Sequence, residues 1–447
     1  MSANGPVSPR EGASAALDGL RGWACLLVFN FHFLFTYTNK SMVGWGFAHR
    51  NRNVLQLPVV HLLISGHAMV AVFFVLSGYV LSYKSLKLLR TRSWEQAFRS
   101  LASSTFRRAF RLFIPAIVSI LFITLAVRLG VYDYSEWVRQ EGRTITGTDE
   151  EHPPIFLTCK EQIWDAYLAA VHLVDPWNWN LYYNAYNPHL WTIPVEFRCS
   201  LFLFIVLLST SLLRIWCRLA SVSFLTFYCI RWGRWDVALF LSGMMMAELD
   251  ITYNGATLSH GHATLLPTQA NSTEYSVEKI PPCHQPLSLR VMYILAFSLG
   301  LYIASCPNRF QEYTPGFRFL STFTPKSYAE KHRFLQSIGA IILVFCISRC
   351  HTLQRPFLNH LAQYLGHISF SLYVVHGPIL HSLGYSIMSC IWQWMGRKSD
   401  FQFCLGLLLG YVVCLLVSIW AAHMFWRVVD LPTVRFAKWL EYQLSVS

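Results

Sequence analysis

Two ionisable residues lie inside the first apolar segment of the chain, where charge is costly. Arg21 and His32 are eleven residues apart, and Asp18 precedes them in the same segment. In a helix they would lie within roughly 20° of one face and about 16 Å apart along the axis. An ionisable side chain in a membrane span costs roughly 2.5–3.5 kcal/mol, which favours a function: binding an anion for Arg21, accepting a proton for His32. The alternative for His32 is a packing residue that hydrogen-bonds a neighbour.

A second group of charged residues borders later apolar segments. Arg108 and Arg111 are i, i+3 neighbours at the start of the third segment, so both guanidinium groups could face one anion. They could equally be a stop-transfer cluster that only fixes topology. Glu196 opens the fourth segment. Its carboxylate could orient an imidazole, or it could stabilise the start of a helix through the helix dipole.

Three further residues could contact a substrate. His67 precedes an apolar run that contains Ser77, and a Ser-Gly pair in a membrane helix is more typical of close packing than of a nucleophile. Tyr373 and His376 are i, i+3 neighbours shortly before Pro378. This pair could line a cavity, or His376 could hydrogen-bond a backbone carbonyl near the proline.

The composition indicates the elements that would position these residues. Apolar residues make up 54% of the 447 positions and charged residues 13%, about half the usual charged share. The mean hydropathy is +0.37. These values exclude an ordinary soluble enzyme, a disordered chain and a collagen-like fibre. Continuous apolar runs, rather than ten-residue alternation, argue against a transmembrane barrel. The sequence therefore predicts an all-α polytopic transmembrane helix bundle.

We predict about ten membrane spans, of which the two within 219–250 are short and could be tilted. The predicted spans are 18–38, 66–83, 110–130, 197–216, 219–230, 237–249, 289–306, 334–350, 364–386 and 402–426. The domain limits that follow are a tail over 1–16, a transmembrane domain over 17–430 and a second tail over 431–447.

Charge counts predict an orientation. Residues 84–111 contain eight Lys or Arg and one acid, whereas 131–196 contains three bases and ten acids. The first stretch should be cytoplasmic and the second lumenal or extracellular, with both tails in the cytoplasm. The segment 251–288 would also be cytoplasmic, which leaves the sequon at Asn271 without a glycan and exposes Cys283 to cytoplasmic reagents.

The net charge and the cysteines indicate neither a nucleic-acid partner nor a bound metal. The net charge of +13 is ordinary for a membrane protein with basic cytoplasmic loops, so it does not indicate a nucleic acid. The twelve cysteines are scattered without a C-x-x-C pair, so we expect neither a disulfide framework nor a bound metal.

Five motifs in order give the chain a family resemblance over about 16–430. They resemble the acyltransferase-3 family of integral membrane acyltransferases, in its fungal branch. The motifs are Leu17–Gly22 (LDGLRG) with a His eleven residues after its Arg, Phe73–Tyr79 (FFVLSGY), Arg108–Arg111 (RAFR), Leu190–Glu196 (LWTIPVE) and Ser371–His376 (SLYVVH). The chain departs from many bacterial members at Pro194, where they have Ser.

The resemblance implies about ten transmembrane helices and transfer of an acyl group, usually acetyl, from acyl-CoA as co-substrate to a hydroxyl. No cofactor would be bound. By family analogy His32 is the essential histidine, and its companions are Arg21, Arg108, Arg111 and Glu196.

Physical chemistry is compatible with these roles. The three arginines would bind CoA phosphates at the cytoplasmic face. His32, about 16 Å farther along the helix, would act as general base or accept the acyl group itself. Glu196 would orient the His32 imidazole. We assign His67, Tyr373 and His376 to binding of the acceptor.

Several possibilities remain open for the acceptor and for the class of protein. We expect a small hydroxylated molecule, such as a fungal terpenoid or polyketide, with the enzyme in the endoplasmic reticulum or another endomembrane. The alternatives are acylation of a cell-surface sugar or lipid, membership of the other membrane-bound O-acyltransferase class, and a non-enzymatic transporter or flippase.

Overall fold

The computed structural model describes residues 9–48, 51–262 and 285–445. The structure is 78% helical. Its described part contains no strand beyond an isolated bridge between Val43 and Arg309. The predicted all-α class is therefore confirmed. The predictions for Asn271 and Cys283 concern residues outside the described ranges and stay predictions.

In the described ranges most helices follow one another with short connections, and the long segments between the main helices are 38–65, 129–187 and 305–331. Their bounds are α1 Pro9–Tyr37, α2 Gly66–Arg90, α3 Trp94–Arg128, α4 Asp133–Glu141, α5 Cys159–Val174, α6 Thr192–Ser209, α7 Ile215–Arg231, α8 Trp235–His262, α9 Leu287–Ala304, α10 Arg318–Ser321, α11 His332–Arg349, α12 His351–Gln354, α13 His360–Ile379, α14 Tyr385–Met395, α15 Asp400–Phe425 and α16 Leu431–Leu444. A 3-10 turn, Pro188–Trp191, precedes α6, and π-helices join α13 to α14 and α15 to α16.

Six helical segments in the described ranges are long and apolar enough to cross a membrane. The count of ten spans is not confirmed. The polar side chains of Arg21 and His32 lower the mean hydropathy of α1, and α7 has only 17 residues. The six segments are Gly66–Arg90, Trp94–Arg128, Pro188–Ser209, Leu287–Ala304, His332–Arg349 and Asp400–Leu444.

The bundle has two ends that differ in their connections. One end, here the loop end, carries the connections 38–65, 129–187 and 305–331. The opposite end, here the tail end, holds Ala15, whose carbonyl accepts a hydrogen bond of 2.7 Å from Gln363 Nε2 of α13.

The predicted tails are partly helical. α1 begins at Pro9, within the predicted tail over 1–16, and α16 occupies most of 431–447. At the tail end, α16 packs against α3 through an ion pair between Arg107 and Glu441 at 3.1 Å.

Close helix packing depends on glycine at two interfaces. A Cβ added to Gly22 of α1 would lie 2.5 Å from the backbone nitrogen of Gly366 in α13. A Cβ added to Gly78 of α2 would lie 2.1 Å from the carbonyl oxygen of Phe240 in α8. Small residues let membrane helices approach this closely. The first contact holds the helix of His32 directly against the helix of His376.

Candidate active site

The His32 side chain lies among polar groups near the loop end of α1. Its Nδ1 atom is 2.8 Å from Nε2 of His189 and 3.7 Å from Oε1 of Glu150. The His32 side chain is 16% exposed, whereas that of His189 is 1% exposed. His32 is therefore held by two neighbours and is still reachable from outside.

Glu150 comes from a loop, not from a helix. The backbone N–H groups of Gly147 and Thr148 donate to the carbonyls of Thr36 and Phe35 at 3.0 and 2.8 Å. This pairing satisfies carbonyls at the end of α1 that lack an intrahelical donor. It also fixes the loop over α1, so that the Glu150 carboxylate points at His32.

Three imidazoles surround the Glu150 carboxylate. His189 Nε2 and His381 Nε2 lie 3.3 and 3.1 Å from Glu150 Oε2, and His32 approaches Oε1. Burial alone would raise the pKa of Glu150, but the charge and hydrogen bonds of His189, with the hydrogen bonds of His32 and His381, hold it well below its ordinary value. Glu150 therefore remains a carboxylate at neutral pH. We call Glu150, His32, His189 and His381 the histidine cluster.

A π-helix places His381 in this cluster. Leu380–Gly384 is a π-helix between α13 and α14. In an uninterrupted α-helix, residues five apart differ by about 140° around the axis. In the structure the rings of His376 and His381 lie 4.6 and 5.7 Å from that of His189. The wide turn of the π-helix places the imidazoles of both His376 and His381 next to His189.

His376 and Tyr373 support the cluster from behind. His376 Nδ1 lies 2.8 Å from the Tyr373 carbonyl oxygen, so it donates to the backbone, and its ring also faces His189. Tyr373 Oη donates to the backbone carbonyl of His189 at 2.6 Å and accepts from Thr192 Oγ1 at 2.8 Å. Tyr373 therefore fixes the 3-10 turn that carries His189.

An aromatic cavity of about 220 Å³ opens beside the cluster. His32, Glu150 and His67 lie in its wall, whereas Tyr373 and His376 do not line it. The assignment of His67 to binding of the acceptor stays a prediction. His67 is positioned by Asn308, whose Nδ2 donates to His67 Nδ1 at 3.0 Å. The full lining is Phe31, His32, Phe35, His67, Thr148, Glu150, Glu151, Tyr183, Pro188, His189 and Trp191.

Arg21 is bound at the interface between α1 and α13. Its Nε donates to Ser369 Oγ at 3.0 Å and its Nη2 donates to the Gly366 carbonyl at 2.9 Å. Asp18 lies 3.3 Å from the same Nη2. The Arg21 side chain is 36% exposed. It therefore keeps a surface that could contact an anion.

Glu196 pairs with Arg108 instead of His32. Arg108 Nη2 donates to Glu196 Oε1 at 2.6 Å, and Ser77 Oγ donates to the same oxygen at 3.0 Å. Among the described residues, the carboxylate within ion-pair distance of His32 is Glu150. The predicted contact between Glu196 and His32 is wrong, because Glu196 lies seven residues beyond His189, about 10 Å farther along the helix.

Arg111 lies one turn beyond Arg108 and is exposed. It interacts electrostatically with Arg21, Arg108 and Asp430. We call Arg21, Arg108, Arg111 and Glu196 the arginine cluster. The structure thus brings the three predicted arginines into one region, nearer the tail end than the histidine cluster.

Sequence reasoning missed Glu150, His189 and His381. Glu150 belongs to the acidic stretch 131–196, and His189 lies immediately before the motif that ends at Glu196. Neither residue falls inside an apolar run, so the search for charges in membrane spans passed over them. The donor atoms of Glu150, His189 and His381 lie within 4.8 Å of one another, a separation that could hold a metal ion.

Comparisons with known proteins find a family model and fungal relatives. A family model described as an acyltransferase domain matches residues 14–423. The chain is 31% identical over 446 residues to the O-acetyltransferase PaAT-1 of Phomopsis amygdali, covering 96% of this chain and 84% of the relative.

Two further fungal relatives match nearly end to end. Acyltransferase R4 of a Phoma species is 27% identical, with 98% of each chain covered. Acyltransferase clz18 of Cochliobolus lunatus is 25% identical, covering 96% of this chain and 95% of the relative. No solved structure matches the chain significantly.

Proposed function

The chain belongs to the acyltransferase-3 family, and on this premise we propose that it transfers an acetyl group from acetyl-CoA to a hydroxyl of a small apolar molecule. The observation that carries the proposal is the contact of His32 with Glu150 and His189 at a cavity wall. An imidazole that is reachable, buried on one side and next to a carboxylate is suited to general base catalysis.

The arginine cluster supports an anionic donor. Acyl-CoA carries phosphate groups, which guanidinium groups bind with charge-assisted hydrogen bonds. Arg21 and Arg111 keep exposed surface, whereas Arg108 is engaged by Glu196. We therefore assign phosphate contacts to Arg21 and Arg111, and assign to Arg108 the task of holding the charge of Glu196 in place.

The distance between the two clusters fits an extended donor. Arg21 and His32 share one face of α1 and are about 16 Å apart along its axis. The pantetheine arm of CoA is a thin chain of similar length. With its phosphates at the arginine cluster, its thioester would lie beside His32.

The acetyl transfer then requires the two substrates, His32 and Glu150. His32 accepts the proton of the acceptor hydroxyl, and the oxygen attacks the thioester carbonyl. The carbon–sulfur bond breaks, and the CoA thiolate leaves. The nearby carboxylate of Glu150 stabilises the imidazolium that forms, as the carboxylate does in a Ser-His-Asp triad.

The cavity supports an acceptor with an apolar body. Four aromatic side chains line it, and the remaining wall includes several polar residues such as His32 and His67. Aromatic surface next to polar groups is suited to a molecule that has an apolar body and a hydroxyl. A fungal secondary metabolite such as a terpenoid or polyketide fits this wall.

We place the enzyme in an endomembrane, with its tail end in the cytoplasm. The basic stretch 84–111 joins α2 to α3 at that end, which agrees with the positive-inside rule. Acetyl-CoA would then meet the arginine cluster first and the histidine cluster last.

The experiment that tests the proposal measures release of CoA thiol from acetyl-CoA by purified protein in detergent, with an acceptor extract from a strain that lacks the gene. We expect acceptor-dependent release by the wild type. His32→Ala should abolish it, and His172→Ala, which removes an exposed imidazole of α5, should not. Equal release by the two variants would refute the role of His32.

Sealed vesicles of known orientation test the side of entry. Acetyl-CoA should support transfer only when it is added to the face that carries 84–111. Transfer from acetyl-CoA on the opposite face would contradict both the orientation and the phosphate contacts of Arg21 and Arg111.

A further inference from the structure

We propose that Glu150, His189 and His381 bind a zinc ion, whose open coordination position faces His32 and the aromatic cavity. The binding site stands on its own geometry. Its role in catalysis rests on the acyl transfer proposed above. Sequence analysis led us to expect no bound metal, because the three donors come from a loop, a 3-10 turn and a π-helix, which share no local pattern.

The donor atoms are spaced as zinc ligands are. His189 Nε2 and His381 Nε2 lie 3.3 and 3.1 Å from Glu150 Oε2. Tetrahedral zinc with bonds of about 2.0–2.1 Å requires ligand atoms roughly 3.3–3.4 Å apart. Both distances to Glu150 Oε2 are close to that spacing, and the three donor atoms all lie within 4.8 Å of one another.

The donor set and its surroundings also fit zinc. Two imidazoles and one carboxylate form a common catalytic zinc site, which keeps a fourth position for water or substrate. The side chains of His189 and His381 are 1% and 2% exposed, so the ligands are fixed by packing. Glu150 is 14% exposed at the cavity, which leaves a path for the ion.

Hydrogen bonding alone accounts for the cluster less well. His32 Nδ1 is only 2.8 Å from His189 Nε2, and both atoms approach Glu150. One N–H on His189 can donate to His32 or to Glu150 but not fully to both. A cation bound by His189 Nε2 and Glu150 Oε2 would remove the competition at the carboxylate, and the His32 ring would then move away from Nε2, because no proton would remain between the two nitrogens.

The position beside His32 gives the ion a role. A hydroxyl oxygen bound as the fourth ligand would become more acidic, as zinc-bound water does. His32 then takes its proton, and the oxygen forms a bond to the thioester carbon as the CoA thiolate departs. No oxidant or further reactant is required.

The test is the metal content of the full-length protein, purified in detergent through a tag without histidine. We expect about one zinc per chain by mass spectrometry. Glu150→Gln and His381→Gln should lose most of it, whereas His172→Ala should retain it. Zinc retained by both cluster variants would overturn the site.

Cobalt provides a measurement that does not depend on variants. After removal of zinc with a chelator, Co²⁺ should restore a visible absorption band of tetrahedral cobalt without a thiolate charge-transfer band, because no cysteine is in the donor set. A protein that binds neither zinc nor cobalt at micromolar metal would overturn the proposal.

Failure of the site and failure of the proposed function are distinguishable in one sample. Metal-free protein that still transfers acetyl groups at the wild-type rate would overturn the catalytic role of the zinc ion and leave the proposed function standing. Protein with zinc in the three-residue site that never uses acetyl-CoA would leave the site standing and refute the proposed function.

Discussion

The arginine cluster carries permanent charge, whereas the histidine cluster carries charge that can be exchanged. In the arginine cluster, Arg108 is paired with Glu196 at 2.6 Å, and a guanidinium keeps its charge at any physiological pH. In the histidine cluster, three imidazoles share the Glu150 carboxylate, and an imidazole can accept and donate a proton. The difference separates tasks: permanent charge is suited to binding an anion, and exchangeable charge is suited to moving a proton.

The clusters also differ in the elements that carry them. The arginine cluster lies on the regular helices α1, α3 and α6. The histidine cluster needs one helix, a loop, a 3-10 turn and a π-helix. A regular framework fixes the binding region, and irregular segments assemble the region assigned to chemistry.

The sharpest test of this division replaces one residue from each cluster. His32→Ala should lower kcat by about 10²–10⁴-fold, the usual contribution of a general base. Arg21→Ala should mainly raise KM for acetyl-CoA. Steady-state kinetics with both substrates varied would measure the two effects, and a kcat loss of equal size in Arg21→Ala would break the comparison.

Glu150→Gln should lower kcat by roughly 10–100-fold and leave KM for acetyl-CoA within about threefold, because it removes a charge from the histidine cluster only. Glu95→Gln is the matched control, since Glu95 is an exposed carboxylate on α3. If Glu150→Gln changed only the KM for acetyl-CoA, Glu150 would belong with the donor site.

Arg108→Ala should destabilise the protein by about 3–5 kcal/mol, because it leaves the partly buried carboxylate of Glu196 without its partner. The double variant Arg108→Ala, Glu196→Gln should recover part of that loss. Thermal unfolding in detergent would compare the two. A double variant less stable than Arg108→Ala would show that Glu196 has a second partner of importance.

Tyr373→Phe should have the smallest effect, a loss of activity of about fivefold corresponding to one hydrogen bond of roughly 1 kcal/mol. The hydroxyl bonds the backbone of the turn that carries His189, not the cavity. The loss should therefore appear in kcat for every acceptor. A change confined to the KM of one acceptor would make Tyr373 a substrate contact instead.

Helical periodicity predicted which residues share a face of a regular helix, but it could not predict the histidine cluster. Arg21 and His32, one from each cluster, follow regular α-helix geometry, so their spacing alone indicated a shared face. His376 and His381 are five residues apart, a spacing that α-helix geometry assigns to different faces, and only the π-helix reunites them. Glu150 lies in a loop whose path depends on backbone hydrogen bonds to the end of α1, which no local pattern encodes.

The composition predicted the all-α class, and five ordered motifs predicted the family, which the family model confirms. The partner of His32 was predicted wrongly for a related reason. Glu196 was chosen because it opens an apolar segment and belongs to a family motif, whereas Glu150 lies in a loop outside every predicted span. A search limited to apolar segments therefore misses acids that loops bring to the site.

Helix α3 is longer than the hydrocarbon core of a membrane is thick. Its 35 residues span about 52 Å, well beyond a hydrocarbon core of about 30 Å. From Arg107 to Arg128 the helix rises about 32 Å, so these two basic side chains mark the borders of one bilayer thickness. Arg107 contacts Glu441 at the outer side of that border, and Arg108 is the next residue. A charged donor could thus reach the arginine cluster from water without crossing lipid, and only its thin acyl-bearing arm would have to enter the membrane.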